Sequence, residues 1–123
     1  MLIYILSRNK NLYSTSRLVK AGKNAGPSIK VVHHMFCDLL IENGNFNIRF
    51  EDEILSKPDY IIPRIGANVT SYGEKVIRHF EKMGVPSLTP SEGLLNSRDK
   101  FKSMQYLGEH KINMPASYFS NDL

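Results

Sequence analysis

Of its 123 residues the chain spends only one on cysteine, so Cys37 has no partner for an internal disulfide. That excludes a disulfide-stapled secreted scaffold and points to a reducing, cytoplasmic setting, with Cys37 as a buried, inert thiol. Long hydrophobic runs are missing too. The opening Met1-Leu2-Ile3-Tyr4-Ile5-Leu6 is apolar, but it is far shorter than the roughly 20 residues a membrane helix needs. It also lacks the basic start and small-residue cleavage site of a signal peptide. No membrane association is expected.

Charge of one sign is present without being concentrated. The net charge is +4 and the pI about 9.2. The basic residues are scattered over Arg8, Lys10, Arg17, Lys20, Lys23, Lys30 and Arg64, with a second group from Arg98 to Lys102. Such dispersal fits a nucleotide phosphate or an acidic substrate better than a long nucleic-acid track, and a solvated surface accounts for it equally well. The chain has no Walker loop, zinc-ligand spacing, nucleophile elbow or dinucleotide fingerprint. His33-His34 is no chelate, because adjacent strand residues point to opposite faces, and His79 and His110 stand apart on separate predicted helices.

What is present is a 41% hydrophobic chain, enough for one modest core. Leu2 to Leu6 reads as a buried parallel strand. A helix follows, with Ser14 or Thr15 as its cap and Gly26-Pro27 as its stop, and Ile29 to Val32 completes a β-α-β unit. Asn43-Gly44 predicts a hairpin with a type I′ turn. Pro58-Asp59 introduces a third strand, Tyr60-Ile61-Ile62, which Pro63 closes. Thr70 and Ser71 are candidate caps for a helix from Tyr72 to Met83, stopped by Gly84, and Val85 to Leu88 reads as a fourth strand.

Beyond it, Ser91 is placed as the cap of a short helix through Asn96. A second helix starts at Arg98 or Asp99 and reaches His110, with Met104 and Leu107 facing inward, and Ser117 to Phe119 reads as the start of another strand. The expectation is an α/β fold, an open mostly parallel sheet with helices on both faces, a small hairpin and C-terminal linker helices. Ligands of such sheets bind beyond the carboxyl ends of the strands. This singles out Ser7-Arg8, His33-His34, Pro63-Arg64-Ile65-Gly66 and Thr89-Pro90-Ser91. Arg8 and Arg64 at neighbouring strand ends make a candidate anion site; the alternative for either arginine is a pair with an acidic neighbour at the sheet edge. Asp99-Lys100 at a helix start is by itself a common capping pair with a solvated lysine.

Ile5-Leu6-Ser7-Arg8 with Leu12-Tyr13-Ser14, then Asp59 through Gly66, then Ser97-Arg98-Asp99-Lys100 through Met104-Gln105, together resemble the N-terminal part of the RimK-type ligases. These are ATP-grasp enzymes that add glutamate to a protein's C-terminus, and the resemblance spans nearly the whole chain. Two departures stand out: His33-His34 where the family often has Asp-Pro, and Gly26-Pro27-Ser28 in place of a more usual Gly-His.

The resemblance implies a Rossmann-like pre-ATP-grasp domain over residues 1–96. Residues 97–123 would then be a linker helix and the start of an ATP-grasp domain lying beyond Leu123. It further implies that Lys100 touches the nucleotide phosphates and that Ser7, Arg8, Arg64 and Gly66 line a substrate or phosphate cleft. ATP and magnesium would serve the full-length protein, with the catalytic and metal-binding groups outside this chain and no turnover by the chain alone. The implied partners are the missing domain, glutamate and an acceptor protein C-terminus such as a ribosomal one, and a homo-oligomer is compatible with the sequence. The competing readings are a stand-alone α/β anion-binding regulatory module and a charge-driven nucleic-acid partner, whose binding would collapse as salt rises.

Overall fold

A computed structural model describes residues 1–121. Along the chain run β1 (Leu2–Leu6), α1 (Tyr13–Ala25), β2 (Ser28–Val32), β3 (Asp38–Glu42), β4 (Asn45–Phe50), β5 (Glu53–Ile54), β6 (Tyr60–Pro63), α2 (Thr70–Lys82), α3 (Ser91–Arg98) and α4 (Lys100–Glu109). The first, second and sixth strands form a parallel sheet in the order β2-β1-β6. The third to fifth form a separate antiparallel sheet in the order β3-β4-β5. This is the expected α/β architecture, and no helix among the described residues is long and apolar enough to cross a membrane.

As the central strand, β1 is covered on both faces. Tyr4 and Leu6 share a face with Val32 and Ile61. There the Tyr4 ring meets Phe80 of α2 edge-on, 6.2 Å between centroids. Cys37, Ile48, Phe50, Val76, Ile77 and Val85 complete this core. On the opposite face α1 lies so close to β2 that a Cβ at Gly22 would stand 2.6 Å from the Ile29 side chain. A right-handed β1-α1-β2 crossover is what such a parallel pair demands.

The turn chemistry at Asn43-Gly44 is as expected: φ is 50° and 78° at the two residues, the pair of positive values a type I′ turn requires. A second two-residue turn, Glu51-Asp52, also has both φ values positive, 52° and 61°, and adds the short β5 that the sequence reading missed. Gly26 and Gly84 end α1 and α2 in left-handed conformations, φ 107° and 78°, each after its helix as predicted.

Several local expectations are corrected. Neither Ser14 nor Thr15 caps α1, which starts at Tyr13 with Leu12 in the cap position and no side-chain cap bond. The Thr15 hydroxyl is instead fully buried against Ser7, Oγ to Oγ1 2.9 Å. Thr70 is the first residue of α2, donating to the Ala67 carbonyl at 2.9 Å, and does not cap it. Ser91 is likewise inside its helix, which runs on to Arg98. Its N–H and hydroxyl are held by the Glu81 carboxylate at 2.8 and 2.6 Å.

The fourth strand reduces to one parallel bridge between Ile61 and Ser87, since Pro86 has no N–H to offer the ladder. β2 is an edge strand in which only Val32 is fully buried. Asp99 does cap α4, its Oδ1 accepting from the Lys102 N–H at 2.9 Å. Met104 and Leu107, however, stay partly exposed, and no residue of α4 is buried. Residues 117–119 form no strand; Phe119 stacks on Phe101 at 4.9 Å. The last two residues of the expected segment 97–123 lie outside the described ones.

Candidate functional site

Because β1, β2 and β6 run parallel, their carboxyl ends open onto one edge of the sheet. Ser7-Arg8, His33-His34 and Arg64-Ile65-Gly66 are delivered there together. Pro63 lies opposite Leu6, and the Leu6 carbonyl is met by the N–H of Arg64 at 2.8 Å. This bond fixes the backbone from which the Arg64 side chain departs. The Arg64 Nη2 reaches the Ser14 hydroxyl on α1 at 3.4 Å, a weak contact that leaves the guanidinium free to turn.

Arg98, the last residue of α3, comes to the same place from 33 residues farther along the chain. Its Nη2 donates to the Ile65 carbonyl at 2.5 Å. Arg64 and Arg98 line one cavity of about 610 Å³ with Ser14, Thr15, Gly66, Thr89 and Ser97, and with Leu12, Pro63, Ile65 and Leu94 as its apolar part. No acidic residue lines it. The ion pairs among the described residues are Arg49–Asp38 and Arg78–Glu74, so neither cavity arginine is neutralised by a carboxylate there. The uncapped start of α1, which has no acidic residue in its first turn, borders the same space. Its unpaired N–H groups add to the positive potential of the arginines.

Arg8 occupies the neighbouring depressions, which it lines with Asn9 and His33. A Cβ at Gly66 would stand 3.7 Å from the Arg8 Nη2 and 3.3 Å from the Asn68 Oδ1, so Gly66 is the thin partition beside which Arg8 lies. Arg64 therefore shares its cavity with Arg98, and Arg8 sits next door. Ser7 is buried, and its hydroxyl is engaged with Thr15 and with the Asn9 carbonyl at 3.2 Å. It pins the exit of β1 to α1. Lys100 opens α4, exposed, outside the cavity and without a carboxylate partner among the described residues.

His33 stacks on Phe36 at 4.1 Å, while His34 is completely buried with neither ring nitrogen hydrogen-bonded. Burial first, then the nearby His33 and Arg8, push His34 down to about 4, so it is neutral at ordinary pH. Burial, aided by Asp38, pushes the Cys37 thiol up to about 12, which makes it a poor nucleophile.

Sequence reasoning named Arg8, Arg64, Gly66 and, with Pro90 and Ser91, Thr89, but passed over Arg98 as a site residue, along with the hydroxyls of Ser14 and Ser97. The available signal was the position of Arg98 between a helix end and Asp99-Lys100. Its meeting with Ile65 is a tertiary contact that no local pattern announces.

Residues 1–94 match the family described as the RimK PreATP-grasp domain. Among curated proteins, the chain is 44% identical over 121 residues to a "Probable alpha-L-glutamate ligase" of Marinobacter nauticus. It is 47% identical over 120 residues to a "Probable alpha-L-glutamate ligase 2" of Pseudoalteromonas atlantica, and 45% identical over 121 residues to a "Probable alpha-L-glutamate ligase" of Vibrio atlanticus. Each match covers 98% of this chain and 40% of the relative, so the chain spans about two fifths of the length of these proteins.

Proposed function

Since this chain belongs to the RimK pre-ATP-grasp domain family, we propose that it is the N-terminal part of an ATP-dependent carboxylate-amine ligase that adds glutamate to the C-terminus of an acceptor protein. The observation that carries this reading is the acid-free cavity with two arginines at the carboxyl ends of the parallel strands. It is the place where open α/β sheets receive ligands, and its charge suits an acidic one.

In this reaction a carboxylate is activated as an acyl phosphate at the expense of ATP. The amine of glutamate then attacks its carbonyl carbon, a C–N bond forms, and phosphate leaves. Lys100 stands at the start of α4 with its ammonium free to meet a nucleotide phosphate as a point charge. Magnesium is assigned to the rest of the ligase, where the family resemblance puts the metal-binding groups. Ser7, with its hydroxyl engaged, supports the cleft from behind, Arg64 and Gly66 line it, and Arg8 borders it from the neighbouring depressions.

The division into a domain of residues 1–96 and a linker of 97–123 is supported by burial: among the described residues, every fully buried one lies at or before Leu94. A cytoplasmic setting fits the free, buried Cys37, and an acceptor such as a ribosomal protein comes from the family resemblance. With the metal-binding groups elsewhere, the chain alone is expected to turn over no ATP and to ligate no glutamate.

Steady-state kinetics of the full-length ligase test this assignment. Lys100→Ala is expected to raise the KM for ATP by about tenfold or more, the loss of a charge-assisted contact. It should leave the fold intact, since an exposed lysine carries little packing energy. Unchanged ATP dependence would remove Lys100 from the nucleotide site. Detectable ATP turnover by the 123-residue chain would overturn its dependence on a further domain and favour a self-sufficient module.

A further inference from the structure

The cavity shared by Arg64 and Arg98 contains two permanent positive charges and several hydroxyls but nothing that would neutralise an ammonium group. Resting on the glutamate-ligase reading, we propose that this cavity seats the incoming free glutamate by its two carboxylates, one to each guanidinium, and leaves its amine outside. The chemistry of the lining selects the acid end of an amino acid. Planar guanidinium forks match carboxylates, and Ser14 and Thr89 supply hydroxyls for the remaining lone pairs.

An amino acid held by its acid groups alone presents its nitrogen at the mouth, where it can lose a proton and attack an activated carbonyl. A carboxylate in the lining would have done the opposite, trapping the nitrogen as an ammonium. Arg98 is the fixed half of the clamp, with one nitrogen tied to the Ile65 carbonyl at 2.5 Å. Arg64 is the adjustable half, touching Ser14 only at 3.4 Å.

Two other sources of anionic groups compete for the same cations. The acceptor's terminal carboxylate must lie beside the nucleotide phosphate that activates it, and the phosphate-facing Lys100 stands outside this cavity. The nucleotide itself is placed with Lys100 for the same reason. Both therefore belong to the adjoining space, and the cavity is left for the amino acid.

Arg64→Lys and Arg98→Lys in the full-length ligase separate these occupants. Each is expected to raise the KM for glutamate about tenfold or more while the KM values for ATP and acceptor stay put. Glutamine, which lacks the side-chain carboxylate, should be a poorer substrate than glutamate for the wild type, and one of the two variants should lose most of that preference. A rise confined to ATP would reassign the cavity to the nucleotide, and a rise confined to the acceptor would reassign it to the terminal carboxylate. No change in any KM would leave the cavity without a ligand, and each of these three results overturns the proposal.

Because Arg98 also ties down Ile65, Ser14→Ala and Thr89→Val serve as milder variants, expected to raise the glutamate KM by a few-fold with the unfolding midpoint unchanged. A separate readout needs no turnover. Adding glutamate to the 123-residue chain should move the backbone amide NMR signals of Ser14, Gly66 and Thr89, and adding glutamine should move them less; equal shifts would refute the two-carboxylate clamp. If the full-length protein incorporates no glutamate at all, the ligase reading fails, while the titration still judges the cavity.

Discussion

The body of the chain up to Arg98 and the stretch that follows it are built by different physics. In the body, fifteen hydrophobic residues are buried, the last of them Leu94, and both faces of β1 are sealed. In α4 and the described residues after it nothing is buried. What order exists comes from the Asp99 cap, the Phe101–Phe119 stack and local carbonyl bonds, while Met104, Tyr106, Leu107, Ile112, Met114, Tyr118 and Phe119 remain exposed. The body has the burial a self-sustaining domain requires, and the second region has apolar surface without a core. The family match ends at residue 94, where burial also ends.

The sharpest way to break this contrast is to remove one aromatic from each side. Phe80→Ala empties a fully buried site against Tyr4 and is expected to cost about 3–5 kcal/mol. Phe101→Ala should cost less than about 1 kcal/mol, as partly exposed substitutions do. Urea denaturation of both variants checks the ratio, and equal losses would mean that α4 shares the core.

Acid separates the regions next. His34 belongs to the body, and its folded value of about 4 lies below the usual 6.5, so the unfolded chain takes up the proton first. Its contribution to stability is full above pH 6.5 and lost as pH falls toward 4, by about 3 kcal/mol in all. Denaturant midpoints across that range should decline in the wild type and flatten in His34→Gln. A wild type with no decline would refute the buried, neutral imidazole.

The smallest effect belongs to the second region alone. Asp99→Ala removes the α4 cap and should cost that helix about 1 kcal/mol. Hydrogen exchange should show it as faster exchange at residues 102–106, with protection of β1 unchanged.

What the sequence revealed, and what it hid, follows the same physical line. β1, the Asn43-Gly44 turn, the stops at Gly26 and Gly84 and the Asp99 cap were legible because each is decided by residues adjacent in the chain. Ser14, Thr15 and Ser91 looked like caps because that is their local tendency. Folding gave Thr15 to Ser7 and Ser91 to Glu81, partners that no short window contains. Glu51-Asp52 escaped notice because a turn with two positive φ values normally advertises itself with glycine or asparagine. At the candidate site, Arg64 and Gly66 were visible as strand-end residues, whereas Arg98 joined them only through its bond to the Ile65 carbonyl.

One small feature sets a scale for the whole site. A single extended residue, Asp99, separates the end of α3 at Arg98 from the start of α4 at Lys100. Two residues of chain span at most about 7 Å, so the anchor points of these two cations cannot drift apart whatever the rest of the protein does. The joint works as a common hinge pin: whatever distance opens between the charged ends of Arg98 and Lys100 comes from their own side-chain rotamers, not from movement of the chain between them.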